Sequence, residues 1–346
     1  MEQVTLRDYC EEARSLIQSG ESDKAIHITR YILRHYPRYV DGYRVLGQAL
    51  LAAGNYQEAS RQFRRVLSAD PEDVAARIGL TEVCQATNDL AKAIWQMQRA
   101  IDLSPGDSDL RMQLRRLLNT YQGGDAVEQL EITRAALGRI YARGGLYVKA
   151  VQEFKAVLEQ SPARVDVQAS LAEALWRVGR HLEAAEVCHR TLERLPNALK
   201  ANLIVGALWL ESSQPDEAEP HLKLAQALDP ENTVAQSLFG EKSPLLPLPV
   251  KIERLGEDEI EGAQLKPPPT APVESMPPSL RLEPATDWMS KLHEEDATSM
   301  MSDEKRPDEE FELPDWLQGV GDDLLDENFA PKFQKRLLLT QVHLIG

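Results

Sequence analysis

Hydrophobic and polar positions in the first 240 residues follow a helical spacing inside a fixed longer period. Prolines that end each period are separated by 34, 34, 57, 34 and 34 residues; they are Pro37, Pro71, Pro105, Pro162, Pro196 and Pro230. An alanine lies twelve residues before each proline: Ala25, Ala59, Ala93, Ala150, Ala184 and Ala218. A small residue lies twelve residues earlier again: Ala13, Gly47, Thr81, Gly138, Ala172 and Gly206. The pattern predicts six copies of one structural unit.

Each unit is predicted to be a pair of antiparallel helices. Small residues let two helix backbones approach closely, and large residues such as Phe63 and Phe154 fill the space beside them. A residue suited to a left-handed turn separates the two helices; these residues are Gly20, Gly54, Asn88, Gly145 and Gly179. Because a single helix pair cannot bury its own apolar face, neighbouring units must stack into a solenoid.

The best copy of the unit runs from Tyr43 through Leu46-Gly47, Ala59 and Phe63 to Pro71. In this pattern the chain resembles the tetratricopeptide repeat (TPR) family over residues 6 to about 232. The resemblance implies an all-α fold: a right-handed TPR-type helical solenoid of six repeats plus one extra helical element.

Four regions are expected along the chain. Repeats 1–3 occupy 6–107, an extra helix or incomplete repeat occupies 108–130, repeats 4–6 with a short capping helix occupy 131–240, and 241–346 form a tail. Leu110, Leu114, Leu117 and Leu118 share one helical face in the second region, and Gly123-Gly124 then leads into a helix expected at about 125–143. Such an element either bends the superhelix or is an insertion without functional consequence.

Charge and proline are concentrated in the tail. The whole chain has a net charge of −16, of which residues 241–346 supply −12 from 11 basic and 23 acidic side chains. Thirteen of the 21 prolines also lie there. We therefore expect a largely disordered acidic tail, and the acidic balance disfavours nucleic acid as a partner.

Signals for catalysis, metal binding and membrane insertion are missing from the sequence. No HExxH, GxSxG or phosphate-loop motif occurs, and the three cysteines form no CxxC. We expect no enzyme activity, no catalytic residues, no metal and no cofactor. The N-terminus lacks a signal-peptide pattern and no stretch reaches the length of a membrane span, so the expected location is cytoplasmic.

The family resemblance also implies which residues line the concave groove. Transferring the family's groove positions gives Arg7, Arg14, Asp41, Arg44, Gln48, Glu82, Arg139, Arg143, Glu173, Trp176, Arg177, Lys200 and Glu211. Their arginine bias suits a peptide with carboxylates and a hydrophobic anchor. For any single one of these residues, plain solvated surface is the simpler interpretation. The lysine and asparagine clamp of chaperone-binding members is not found, so chaperone binding is not implied.

Two tail segments repeat an Asp-Trp motif, Asp287-Trp288 and Asp315-Trp316-Leu317. Each could form a short helix with one apolar face that folds on a partner, or the tryptophans occur there by chance. One hypothesis is that such a segment docks in the groove of its own molecule; the other is that it is offered to a different protein.

The sequence thus favours a non-enzymatic scaffold or adaptor that binds peptide segments of other proteins. The alternative is a regulatory or assembly subunit of an enzyme complex.

Overall fold

The computed structural model describes residues 3–122 and 131–256. Helices dominate these ranges, as the repeat pattern predicts. They are α1 Leu6–Gln18, α2 Ser22–His35, α3 Val40–Ala52, α4 Tyr56–Ala69, α5 Val74–Ala86, α6 Leu90–Leu103, α7 Ser108–Gln122, α8 Arg134–Arg143, α9 Tyr147–Gln160, α10 Val165–Val178, α11 His181–Arg194, α12 Leu199–Glu211, α13 Pro215–Leu228 and α14 Thr233–Phe239. A 3₁₀ turn at Gly240–Lys242 and two strands, β1 Gln3–Thr5 and β2 Lys251–Glu253, complete the description.

Successive helices pack in pairs, with each unit stacked on the next, which confirms the predicted helical solenoid. The small residues have the predicted role. All six repeat alanines are fully buried, and a Cβ atom added to Gly47 would lie 2.7 Å from the Phe63 ring. Close helix contact at the small residue, with the aromatic ring beside it, therefore forms the core of the unit.

The turns within the units adopt the left-handed conformation that the sequence predicts. Gly54 has φ of +77° and Asn88 has φ of +59°, and Ser213 provides the sixth member of the set with φ of +57°. The second helix of each unit ends two residues before its proline; α4, for example, ends at Ala69 before Pro71. Proline disfavours helical backbone in the residue that precedes it, which explains this end point.

Helix α7 interrupts the regular alternation. It packs on α6, and α8 packs on α6 as well. Leu110, Leu114 and Leu117 of α7 form a small core cluster with residues of α6, separate from the main core. The helix expected at about 125–143 is shorter in the structure: α8 begins at Arg134, where the Thr133 hydroxyl accepts the Ala136 N–H, and residues 123–130 lie outside the described ranges.

The two ends of the described chain meet in an antiparallel sheet. Val4 pairs with Ile252, and the Leu6 N–H donates to the Val250 carbonyl at 2.9 Å. The expected start of the disordered tail at 241 is therefore wrong, because the Leu245 carbonyl accepts a hydrogen bond from the Gln236 side chain of α14 at 2.8 Å and β2 pairs with β1. The physical reason is burial: Ile252 is only 6% exposed and joins the main core, which also contains Leu6.

Candidate protein-binding surface

The predicted groove residues of the first helices are joined by ion pairs. Arg14 Nη2 lies 2.5 Å from Asp41 Oδ1, and the guanidinium of Arg44 contacts both Asp41 and Asp73. These contacts connect α1 to α3, and α3 to the start of α5. The arginines therefore stabilise neighbouring repeats against each other, and much of their charge is neutralised within the fold.

A second set of ion pairs joins repeats on either side of α7. Arg139 Nη2 lies 3.0 Å from Asp166 Oδ2, and Arg164 Nη2 lies 3.0 Å from Asp102 Oδ2 and 2.7 Å from Asp166 Oδ2. Burial opposes the charged form of Asp166, but the adjacent Arg164 and Arg139 outweigh it and hold its pKa well below the usual range. Arg143 Nη2 donates to the Leu103 carbonyl at 2.7 Å, which ties α8 to the end of α6.

The turn between α4 and α5 reaches the later repeats. Glu72 in this turn accepts hydrogen bonds from Lys200 Nζ, at 2.8 Å, and from the Ser170 hydroxyl. Arg139 Nε lies 3.7 Å from the same carboxylate, and Lys200 also contacts Glu173 at 2.7 Å. Residues that the sequence assigns to the later part of the groove thus bind a carboxylate of this chain.

Three further predicted residues lie near the C-terminal end of the fold. Trp176 stacks on His181 with ring centroids 4.6 Å apart and meets the edge of Phe239 at 5.3 Å. Arg177 Nη2 donates to the Ser237 carbonyl at 3.0 Å. The side chain of Arg7 is 63% exposed and lies 3.8 Å from Glu231. Trp176 and Arg177 therefore hold α14 in place, and the charge of Arg7 remains largely in solvent.

An open cleft of about 620 Å³ lies between the first helices of repeats 1–3. Three residues at the predicted groove positions, Arg14, Gln48 and Glu82, are among those that line it. The wall also includes apolar side chains, among them Ile17, Leu51 and Ile78. The reduced hydration of Glu82 within this concave surface raises its pKa.

The 34-residue spacing of the repeat indicates the polar residues of this cleft but not its apolar wall. Arg14, Gln48 and Glu82 are spaced by 34 residues, and so are Gln18, Ala52 and Ala86, which line the same cleft. The apolar wall was not predicted, and neither was the role of Glu72. The Glu72 contacts join residues 98 and 128 positions apart, a relationship that no repeat spacing encodes.

Within residues 3–122 and 131–256, no cluster of three or more His, Cys, Asp or Glu side chains suited to a metal ion occurs. Burial raises the pKa of the Cys188 thiol to about 12, which keeps it protonated and unreactive near neutral pH. Among the helices that the structure describes, none has the length and apolar character needed to cross a lipid bilayer.

The fold and its concave surface define an α-helical repeat protein. The family model for the tetratricopeptide repeat matches residues 10–59, 44–108 and 168–233, so the chain contains tetratricopeptide repeats over these ranges. Repeats of this kind are typical of protein–protein interaction scaffolds.

Comparison with characterised proteins gives distant relatives. Lipopolysaccharide assembly protein B of Escherichia coli K12 is 24% identical over 195 residues, which cover 50% of each chain. The chain thus spans about half the length of the curated relatives it matches. Among solved structures, the Cut9–Hcn1 hetero-tetramer of the APC/C is similar over 68% of this chain and 49% of that chain, with 21% identity and a TM-score of 0.31. MamA from AMB-1 is similar over 54% of this chain and 96% of that chain, with 24% identity and a TM-score of 0.26.

Proposed function

We propose that this TPR protein is a non-enzymatic scaffold that binds a peptide segment of a partner protein in the cleft between α1, α3 and α5. The observation that carries the proposal is the cleft itself, which is open, about 620 Å³ in volume and lined by both apolar and polar side chains. Clefts of this composition can bury an apolar anchor while the polar groups fix its orientation.

The chemistry of the ligand follows from the lining. Arg14 is engaged with Asp41, so its capacity to attract a carboxylate is reduced. Ile17, Leu51 and Ile78 provide the apolar contact, and Gln48 provides an amide that can both donate and accept hydrogen bonds. The ligand is therefore a segment with apolar side chains and an unpaired backbone, and the carboxylates that the sequence analysis pairs with the hydrophobic anchor contribute less to its binding.

The tail remains a candidate internal ligand. Asp287-Trp288 and Asp315-Trp316-Leu317 lie outside the described residues, so a contact between the tail and the groove stays a prediction. The ion pairs of Arg44, Arg139 and Lys200 weaken its electrostatic basis. The apolar wall still suits a tryptophan side chain.

The cleft can be tested by filling it with side chains that carry no charge. Ala52 and Ala86 line the cleft and are exposed, so Ala52→Trp with Ala86→Trp should block the ligand without disturbing the core. Ala91→Trp, at an exposed site on α6 outside the lining, is the matched control. Proteins that co-purify with the full chain would be quantified by mass spectrometry after thermal melting has shown equal stability. Partners lost from the blocked variant and kept by the control support the proposal, whereas identical partner sets contradict it.

The alternative function is a regulatory or assembly subunit of an enzyme complex. It is favoured by the name of a distant relative, which describes an assembly protein. A single enzyme that co-purifies at a fixed stoichiometry would support this alternative, and several substoichiometric proteins would support the scaffold. Cytoplasmic location and the exclusion of nucleic acid remain predictions.

A further inference from the structure

The cleft between α1, α3 and α5 contains a carboxylate whose charge the fold does not compensate. Glu82 lines the cleft from α5, and within residues 3–122 and 131–256 neither an ion pair nor a hydrogen bond engages its side chain. Reduced hydration raises the pKa of Glu82, and no neighbouring lysine or arginine lowers it. A carboxylate that has lost hydration without gaining a counter-ion is suited to a cationic ligand.

The arginine that lines the same cleft is already neutralised. Arg14 lies 2.7 Å from the Glu11 carboxylate and 2.5 Å from that of Asp41. Arg44, next along α3, contacts both Asp41 and Asp73. Three carboxylates thus surround two guanidinium groups, so this set of side chains has a net negative charge. Ionised Glu82 adds to that charge, and the cleft therefore favours a cation over an anion.

Helix α7 does not supply the missing cation. Arg116 occupies the position 34 residues after Glu82, which is the period of the repeat. Its side chain contacts the Met112 sulfur at 3.5 Å, and among the residues that the structure describes it pairs with no carboxylate. The counter-ion of Glu82 must therefore come from a ligand.

An apolar side chain lies next to this carboxylate. Ile78 and Glu82 are four residues apart on α5 and both line the cleft, so they are neighbours on the helix surface with Cβ atoms about 5–6 Å apart. In an extended peptide, residues two positions apart point to the same side and are separated by about 6.5 Å. The two separations match. An extended segment can therefore contact Ile78 with an apolar residue and Glu82 with a basic residue two positions away.

We infer that the cleft selects a partner segment in which a lysine or arginine lies two positions from an apolar residue. The basic side chain binds Glu82 through a charge-assisted hydrogen bond, the apolar side chain packs on Ile78, and the Gln48 amide offers hydrogen bonds to the backbone of the segment. This inference rests on the proposed function, because it names the ligand chemistry of the same cleft. It makes Glu82 the residue that determines the charge of the ligand.

The first test selects peptides from a phage-displayed library of random decapeptides against the immobilised full chain. The selected peptides should be enriched in lysine or arginine two positions from an apolar residue. Selection against Glu82→Lys should instead enrich aspartate or glutamate at that position. Selection against Ala52→Trp with Ala86→Trp, which fills the cleft, should lose these peptides.

The outcomes separate this inference from the proposed function. Peptides that depend on the open cleft but show no enrichment in basic residues overturn this inference and leave the proposed function standing. The same holds if wild type and Glu82→Lys select the same peptides. Peptides that bind the filled variant as well as wild type contradict the proposed function, and with it the inference.

Fluorescence anisotropy with a labelled peptide from the wild-type selection then measures the contribution of the ion pair. Replacing the basic residue of the peptide with norleucine, which has no charge, should weaken binding about fivefold to tenfold. Glu82→Gln should weaken the basic peptide by a similar factor and leave the affinity of the norleucine peptide nearly unchanged. Raising the salt concentration should weaken the basic peptide more than the norleucine peptide.

The matched control is Glu186→Gln, which removes an exposed carboxylate of α11 outside the lining of the cleft. It changes the net charge of the protein as Glu82→Gln does, and it should alter the affinity of neither peptide. Thermal melting verifies that each variant retains the fold. An affinity for the basic peptide that is the same in wild type and Glu82→Gln would overturn the inference.

Discussion

The carboxylate of Glu72 and the ammonium group of Lys200 lie 2.8 Å apart, although 128 residues separate them along the chain. Glu72 belongs to the turn between α4 and α5, and Lys200 belongs to α12. Their contact shows that the solenoid curls until an early repeat meets a late one. The sheet between β1 and β2 closes the same curl at the two ends of the described residues. Residues that would line an open groove consequently hold the molecule together.

Removing Lys200 should destabilise the fold. Burial alone would raise the pKa of Glu72, but Lys200 and Arg139 outweigh it and lower that pKa below its usual value. Lys200→Met leaves a desolvated carboxylate with fewer donors, and we expect the free energy of unfolding to fall by about 2 kcal/mol at pH 7. Urea denaturation measures the change. The control is Lys223→Met, which removes an exposed ion pair with Glu219 and should change the free energy of unfolding by less than about 0.5 kcal/mol. Equal losses of stability in the two variants would contradict the structural role of Lys200.

The same pair predicts acid sensitivity. Since the pKa of Glu72 is lower in the folded state than in the unfolded chain, its stabilising contribution is present above the unfolded-state pKa. It is lost as the pH falls through the folded-state pKa. Wild type should therefore lose more stability than Lys200→Met between about pH 5 and pH 3.

Ionisation of Asp70 should destabilise the fold, whereas ionisation of Glu72 stabilises it. Burial, with smaller contributions from Asp73 and Glu72, raises its pKa to about 6 despite the attraction of Lys200. A carboxyl whose pKa is raised by folding destabilises the protein when ionised, so its cost is present above pH 6 and disappears as the pH falls toward the unfolded value. Asp70→Asn should raise stability by about 1–2 kcal/mol at pH 7.5, while its side-chain oxygen can still accept the Glu72 N–H. Denaturation curves at pH 7.5 and pH 4.5 check this prediction, and a variant that is less stable at pH 7.5 would refute it.

The close approach of helices at Gly79 predicts a steric penalty. A Cβ atom added there would overlap the Phe63 ring, which is fully buried. Gly79→Ala should destabilise the fold by about 2–3 kcal/mol, because the ring cannot move without displacing the core. Phe63→Leu in the same chain should recover part of the loss. Gly106→Ala is the control, since nothing lies within 4 Å of the added atom. Calorimetry on wild type, Gly79→Ala, Gly79→Ala with Phe63→Leu, and Gly106→Ala measures the change in stability. If Gly79→Ala leaves the stability unchanged, the assigned repeat packing is wrong.

The terminal sheet predicts that a residue beyond the last repeat stabilises the first helix. Ile252→Ala removes a buried side chain that pairs with Val4 across the sheet, and it should lower the free energy of unfolding by about 2–3 kcal/mol. Hydrogen exchange should accelerate in α1 more than in α9. Glu253→Ala, at an exposed position in the same strand, should leave both quantities nearly unchanged, and similar exchange in the two variants would argue against closure by this sheet.

The sequence by itself determined the repeat and its packing. The spacing of Gly47, Ala59 and Pro71 reflects contacts between helices that are adjacent in the chain. The sequence of each repeat therefore determines how its own two helices pack. Sequence also located the extra helix, since Leu110, Leu114 and Leu117 mark its buried face. Local periodicity suffices for such features because nearest-neighbour contacts dominate a solenoid.

Only the tertiary structure decided which polar residues remain available to a partner. Arg44 and Arg139 match the expected groove positions, yet Asp73 and Asp166 neutralise them. Residues 241–256 are assigned to the tail by their prolines and charges, although Ile252 among them is buried. One physical reason explains why the sequence does not show these contacts. The curvature of the solenoid is the sum of many small rotations between neighbouring repeats, and contacts between distant repeats depend on that sum.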